Sequence, residues 1–206
     1  NVFAWGNNAS GQLGLHSASA KVTVPTQLPL GNVNAVSAGE DHSLFTMFDG
    51  KLYAAGSNAY GKLGQNDAAL PVGGTTNAPV YVPGVSGIVD ASAGASHSAA
   101  LTYNTRIYTW GNAADGRLGF MPADNAAYSV NATKLSSLIY MVALDAGADQ
   151  NLAMDYNGLL YSWGNNRSGQ LGLGTSANNL WVTTPTLHKT FLQDADVSVR
   201  SLSAGG

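Results

Sequence analysis

Apolar and polar residues alternate along this chain in short bursts, and the bursts recur. Residues 2–5 (VFAW), 52–55 (LYAA), 107–110 (IYTW) and 160–163 (LYSW) read as extended strands whose successive side chains point to opposite faces. Phe3, Tyr53, Tyr108 and Tyr161 then share one face. Trp5, Trp110 and Trp163 lie on that same face two residues on, where large rings can cover a neighbouring sheet, and the second burst carries Ala55 there. HSLFTM (42–47), HSAALTY (97–103) and QNLAMDY (150–156) predict further strands upstream. Asp49-Gly50 and Asn157-Gly158 fall between the two kinds of strand and predict tight hairpins, because both residues readily adopt positive φ. Asn104-Thr105 is a poorer turn at the equivalent point. The pattern gives one antiparallel hairpin per burst, with additional strands around segments such as VNAVSAG (33–39).

The glycine that follows the aromatic strand falls at Gly6, Gly56, Gly111 and Gly164, at steps of 50, 55 and 53 residues. A second phrase keeps the same beat: AVSAGEDHS (35–43), DASAGASHS (90–98), ALDAGADQN (143–151) and SLSAGG (201–206). Two phrases in fixed order at this spacing define a repeat protein with units of about 1–51, 52–106, 107–159 and 160–206. The small residues of the second phrase have a packing reason, since only Ser, Ala and Gly let backbones converge on a crowded axis. Radial sheets around a channel make a β-propeller. The expected fold is all-β: a propeller of four-stranded blades of about 50–55 residues, with about four repeats present and incomplete at both ends.

WGNNASGQLG (5–14) together with SAGEDHSLFTMFDGKLYAAG (37–56) resembles the regulator of chromosome condensation repeat, and the resemblance covers nearly the whole chain. It implies blades of a seven-bladed type, the remainder being supplied by the same longer chain or by another chain. Departures are Ala55 in place of tryptophan, Gln150-Asn151 in place of His-Ser, and a fourth unit that stops at Gly206.

Gly164, Gly169, Gly172 and Gly174 do not match dinucleotide or phosphate-loop spacing, and no lysine follows them as a phosphate loop requires. They are expected to set turns and bulges. His42 and His97 precede serines at matching positions, which suggests a ring of bases or metal ligands. Gln150 at the third position argues against this, because glutamine donates and accepts hydrogen bonds but does not titrate near neutrality. The histidines are therefore expected to be scaffold residues bonding backbone of their own or a neighbouring blade. Glu40-Asp41, Asp149, Asp194 and Asp196 are scattered, with no spacing that sets an acid/base pair. Asn8, Asn131 and Asn166 open N-x-S/T sequons, two of them generated by the repeat itself.

Composition narrows the partners. Charged residues are only 10% of the chain, with a net charge of −3, against roughly 25% in an average soluble protein. This gives no electrostatic footprint for nucleic acid or anionic lipid, and no apolar run is long enough for a membrane span. Cysteine is absent, which excludes disulfides and thiolate metal sites. Two readings fit the low charge: an extracellular or particle-surface setting, or simply a neutral, Asn-rich β-protein. The segments between the phrases vary in length and carry Tyr81 and Trp181 beside Pro and Gly, as binding loops on a rigid scaffold do.

The expectation is a non-catalytic propeller without cofactor or metal. It binds another protein or forms part of a cell-surface, secreted or virion-appendage assembly, with Tyr81 and Trp181 as candidate contacts. Two alternatives stand beside it: guanine-nucleotide exchange on a small GTPase, which the resemblance implies, and a secreted inhibitor or carbohydrate-binding propeller.

Overall fold

A computed structural model describes residues 1–174, 180–189 and 199–205. The alternating bursts form strands in the expected order. β1 (Phe3–Asn7) and β2 (Lys21–Gln27) pair as a two-stranded sheet. β3 (Val33–Ala38), β4 (His42–Met47), β5 (Leu52–Ser57) and β6 (Thr75–Tyr81) form the second sheet, in that spatial order. β7 (Ile88–Ala93), β8 (His97–Thr102), β9 (Ile107–Asn112) and β10 (Tyr128–Lys134) form the third. β11 (Met141–Ala146), β12 (Gln150–Asp155), β13 (Leu160–Asn165) and β14 (Trp181–Leu187) form the fourth. All pairings are antiparallel between neighbours in sequence. Each four-stranded sheet takes its inner pair of strands from the end of one sequence unit and its outer pair from the start of the next. The repeat thereby ties neighbouring blades covalently.

The hairpins form at the expected dipeptides, with Gly50 and Gly158 both at φ +78°. Thr105 adopts φ +64° to close the poorer turn, and the Thr102 hydroxyl supports it by accepting the Arg106 N–H at 3.2 Å.

Apolar side chains fill the spaces between sheets rather than one common centre. Leu44, Leu52, Leu63, Val82 and Ile88 pack with Trp110 between the second and third sheets. Leu101, Ile107, Leu135, Leu138 and Met141 pack with Trp163 between the third and fourth. Full burial of chains of this size contributes roughly 1.5–3 kcal/mol apiece, so blade contacts dominate the stability.

The innermost strands meet at the small-residue phrase. The Ala93 N–H donates to Ser37 Oγ at 3.0 Å, Ala146 N–H to Ser92 Oγ at 2.9 Å, and Ala204 N–H to Asp145 Oδ2 at 2.6 Å. Each blade is thus stitched to the next beside the axis. A Cβ built on Gly94 would lie 2.7 Å from the Gly147 carbonyl oxygen, closer than real contacts allow. The four phrases line one side of an open cavity of about 320 Å³, the channel that the pattern implied.

Candidate functional site

The glycine-rich phrase builds a latch between blades. Gly6, Gly56, Gly111 and Gly164 sit at φ +107°, +113°, +105° and +109°, conformations closed to other residues. At Gly6, Gly56 and Gly164 the register of the outer pair of strands shifts. After this kink the chain enters a loop that docks on the following blade. In that loop the Lys62 carbonyl accepts both the Ser98 hydroxyl and the Trp110 indole N–H, each at 2.8 Å. One blade further, the Arg117 carbonyl accepts the Asn151 amide at 2.8 Å and the Trp163 indole at 3.2 Å. Buried carbonyls are thereby satisfied across the blade boundary. The first such carbonyl, of Gln12, receives the Ser43 hydroxyl at 2.8 Å and no indole, because Ala55 stands in the tryptophan position.

His42 and His97 lie behind the latch, both fully buried. His42 Nε2 stands 3.0 Å from Ser98 Oγ, whose own proton goes to the Lys62 carbonyl, so the imidazole must donate. His97 Nε2 stands 3.0 Å from Asn151 Oδ1, an acceptor, and donates likewise. Both rings are therefore neutral Nε2–H tautomers, with Nδ1 a bare lone pair against the glycine of the small-residue phrase. Burial drives the His42 pKa down to about 3, with Lys62 and His97 adding to the effect. Burial also lowers His97, to about 4; the bond to Asn151 opposes this and Arg117 reinforces it. Gln150 fills the third position and donates to the Gly205 carbonyl at 2.7 Å. The three side chains thus bond the next blade, the histidines through side chains and the glutamine through backbone.

Two buried cations complete the boundary, and the repeat phrases alone did not single them out. Lys62 ion-pairs with Asp41 and donates to the Ala95 carbonyl of the next blade at 3.3 Å. Arg117 reaches Asp149 of the next blade at 2.5 Å and Ser96 of its own at 2.7 Å. The available signal was positional: Lys62 and Arg117 follow the same repeat glycine, Gly61 and Gly116. Their charge is spent inside the structure, which removes them as anion-binding groups.

The repeat tryptophans differ in their surroundings within the described residues. Trp110 and Trp163 are 0% exposed, whereas Trp5 is 59% exposed. Its strand β1 pairs with β2 alone among the described strands. The ring borders an apolar cavity of about 220 Å³ with Val36 and Phe45. The two candidate contact residues are not brought together. Tyr81 ends β6 at one end of the propeller, edge-on to Tyr53 at 5.8 Å. Trp181 begins β14 at the opposite end, with the Arg167 guanidinium 6.0 Å from its ring centre. Asn8 is buried and its amide donates to the Ser17 and Ser19 carbonyls, which makes the first sequon a loop brace. Among the described residues no three His, Asp or Glu side chains gather as a metal site requires.

Radial four-stranded sheets latched in series around a channel define a β-propeller of the repeat class. The profile of the Regulator of chromosome condensation (RCC1) repeat matches residues 1–46, 49–101 and 157–206, and a second profile of that repeat matches 33–62, 88–117 and 141–170. The chain belongs to the RCC1 repeat family. It is 32% identical over 185 residues to the Homo sapiens E3 ubiquitin-protein ligase HERC2, covering 85% of this chain and 4% of that protein. It is 27% identical over 223 residues to protein pim1 of Schizosaccharomyces pombe, of which it covers 40%. The structure of yeast RCC1 (Prp20) bound to Kap60 superposes with a TM-score of 0.78 at 27% identity, covering 91% of this chain and 44% of that one. Human WBSCR16 superposes with a TM-score of 0.75 at 26% identity, covering 90% of this chain and 48% of that one. The chain therefore spans less than half the length of each of these relatives.

Proposed function

We propose that this chain is a non-catalytic, protein-binding propeller segment. One observation carries the reading: the residues with the look of chemistry are consumed in holding blades together. His42 and His97 are neutral donors to the next blade, and Lys62 and Arg117 are buried in ion pairs. What remains for a ligand is exposed loop and hairpin surface on a rigid frame, the usual location of recognition. The relatives support a binding role: Prp20 has been solved with Kap60, and its structure has been described with its binding to Gsp1p and histones.

The second reading, action on a small GTPase, draws on that same likeness to Prp20. Release of a fluorescent guanine nucleotide from Gsp1p separates the two. The proposed role expects release at the intrinsic rate when this chain is added; acceleration by two orders of magnitude or more would establish exchange activity instead.

A further inference from the structure

Each full blade turns from β4 to β5, β8 to β9 or β12 to β13 at one end of the propeller, and each turn opens on an exposed aromatic ring. Phe48 is 75% exposed, Tyr103 74% and Tyr156 65%. Such residues at one register position of three blades are not scattered surface apolars. Their backbone is held firmly. The N–H groups of Phe48, Tyr103 and Tyr156 donate to the carbonyls of Asn32, Gly87 and Tyr140, at 3.0, 2.8 and 3.0 Å. The hairpins also bond across blades, Ile88 N–H to the Gly50 carbonyl at 2.9 Å and Met141 N–H to that of Thr105 at 3.2 Å. The result is a continuous hydrogen-bonded arc that presents rings outward.

The arc is elaborated in its last blade. Asn32, Gly87 and Tyr140 occupy equivalent left-handed positions, at φ +59°, +65° and +61°. Asparagine and glycine suit that conformation and tyrosine does not. Tyr140 nevertheless stands there, exposed, edge-on to Tyr156 with ring centres 5.6 Å apart. Tyr81 ends its strand at the same end of the molecule.

Among the described residues, unpaired cations are more frequent at the aromatic end and acids at the other. Lys51, Arg106, Lys134, Lys189 and Arg200 lie at the aromatic end, where the described acids are Asp49, held by Lys51 at 2.7 Å, and the buried Asp155; Asp90, partly buried, belongs to inner strand β7. Glu40, Asp67, Asp115 and Asp124 lie at the other end, where the exposed cations are Lys21 and Arg167, the latter 3.5 Å from Asp115. We infer that the hairpin-tip arc is the docking surface for an acidic peptide segment with apolar side chains set between its carboxylates. The rings receive the apolar side chains, as aromatic-rich interface cores do. The cations at the ends of the outer strands, Lys134 closing β10 and Lys189 two residues beyond β14, face the carboxylates. A nucleic-acid strand would need cations along its whole path, and here the path is aromatic with cations at its rim. The inference rests on the protein-binding reading and names its surface.

The test is selection of an unbiased phage-displayed 12-residue peptide library on the 206-residue chain. The expected winners carry Asp or Glu around apolar residues. They should lose affinity by about tenfold or more in Phe48→Ser/Tyr103→Ser/Tyr156→Ser, and keep it in Trp181→Ser. Lys134→Glu/Lys189→Glu should weaken them too, and carries the test should the triple variant not fold. Winners without acidic residues, or winners indifferent to both sets of substitutions, overturn the inference. Failure to enrich any peptide overturns it as well, as does a tip-dependent 20-nucleotide single strand found in place of peptides. Peptides lost only in Trp181→Ser would overturn this surface and leave the protein-binding reading standing. If capture experiments also find no protein binding at either end, that reading falls with it.

Discussion

Phe45 and Ala55 stand diagonally on adjacent strands of the second sheet, and between them they fill the seat that tryptophan fills in the other two. Phe45 pairs with Tyr53, and Ala55 with Ser43. The equivalent positions are Ala100 with Trp110 and Ala153 with Trp163. A Cβ on Gly14 would lie 3.4 Å from Phe45 Cζ, as one on Gly64 would lie 3.7 Å from Trp110 Nε1. The bulk enters the same seat from the neighbouring strand. Ala55→Trp should therefore clash with Phe45 and cost about 1–3 kcal/mol, and Phe45→Ala should cost about 3–5 kcal/mol. The double variant should recover much of both losses, since the new indole can reach the Gln12 carbonyl. Urea unfolding of all four proteins measures the coupling; strictly additive costs would refute the exchange.

The latch tryptophans differ sharply from their N-terminal counterpart. Trp110→Ala should destabilise by about 3–5 kcal/mol, and by more than Trp110→Phe, which forfeits chiefly the bond to Lys62. Trp5→Ala in the same 206-residue chain should stay within about 0.5 kcal/mol of the parent, because its ring is mostly exposed. Equal losses at positions 5 and 110 would contradict the packing described.

At His97 the repeat supplies its own control. His97→Gln should fold with a loss of roughly 1 kcal/mol, since an amide donates as Gln150 does one blade on. His97→Leu leaves the Asn151 oxygen without its donor and should cost about 1–3 kcal/mol. Thermal melting ranks the two; a leucine variant as stable as the glutamine variant would remove the hydrogen bond from the account.

Acid should loosen the blades. An unfolded histidine titrates near 6.5, whereas His42 and His97 are held down to about 3 and about 4. Above pH 6.5 both states are neutral and the full stability is present. As pH falls from 6.5 toward the folded values, the unfolded chain binds protons that the native one refuses. Stability is then lost by up to about 1.4 kcal/mol per pH unit for each histidine. Urea midpoints between pH 7.5 and 4.5 should show this slope, and His42→Gln/His97→Gln should flatten it. An unchanged slope in that variant would assign the acid sensitivity to other groups.

The strands and hairpins were legible because they depend on period-two alternation and Asp-Gly or Asn-Gly turns, which are local, and the repeat because its two phrases recur every 50 to 55 residues. The small residues at the axis were legible for the same reason, their steric cause being visible in Ser-Ala-Gly itself. The different exposure of Trp5 and Trp110 was not legible, because burial depends on the neighbouring blade, which sequence similarity between the two does not report. Lys62 and Arg117 were missed because their partners, Asp41 and Asp149, lie in other phrases of the repeat. The hairpin-tip rings were hidden differently: Phe48, Tyr103 and Tyr156 read as continuations of strands, and only the topology places them at one end.

The central claim is that the repeat phrase is a latch between blades, and exchange of the four indole protons with solvent tests it most directly. Each tryptophan contributes one N–H signal to a ¹⁵N-resolved spectrum. Trp110 and Trp163, buried and bonded to the Lys62 and Arg117 carbonyls, should exchange on the slow timescale of the core amides. Trp5 and Trp181, 59% and 45% exposed, should exchange far faster, toward the rate of an unprotected indole. Fast exchange at Trp110 or Trp163 would contradict the latch.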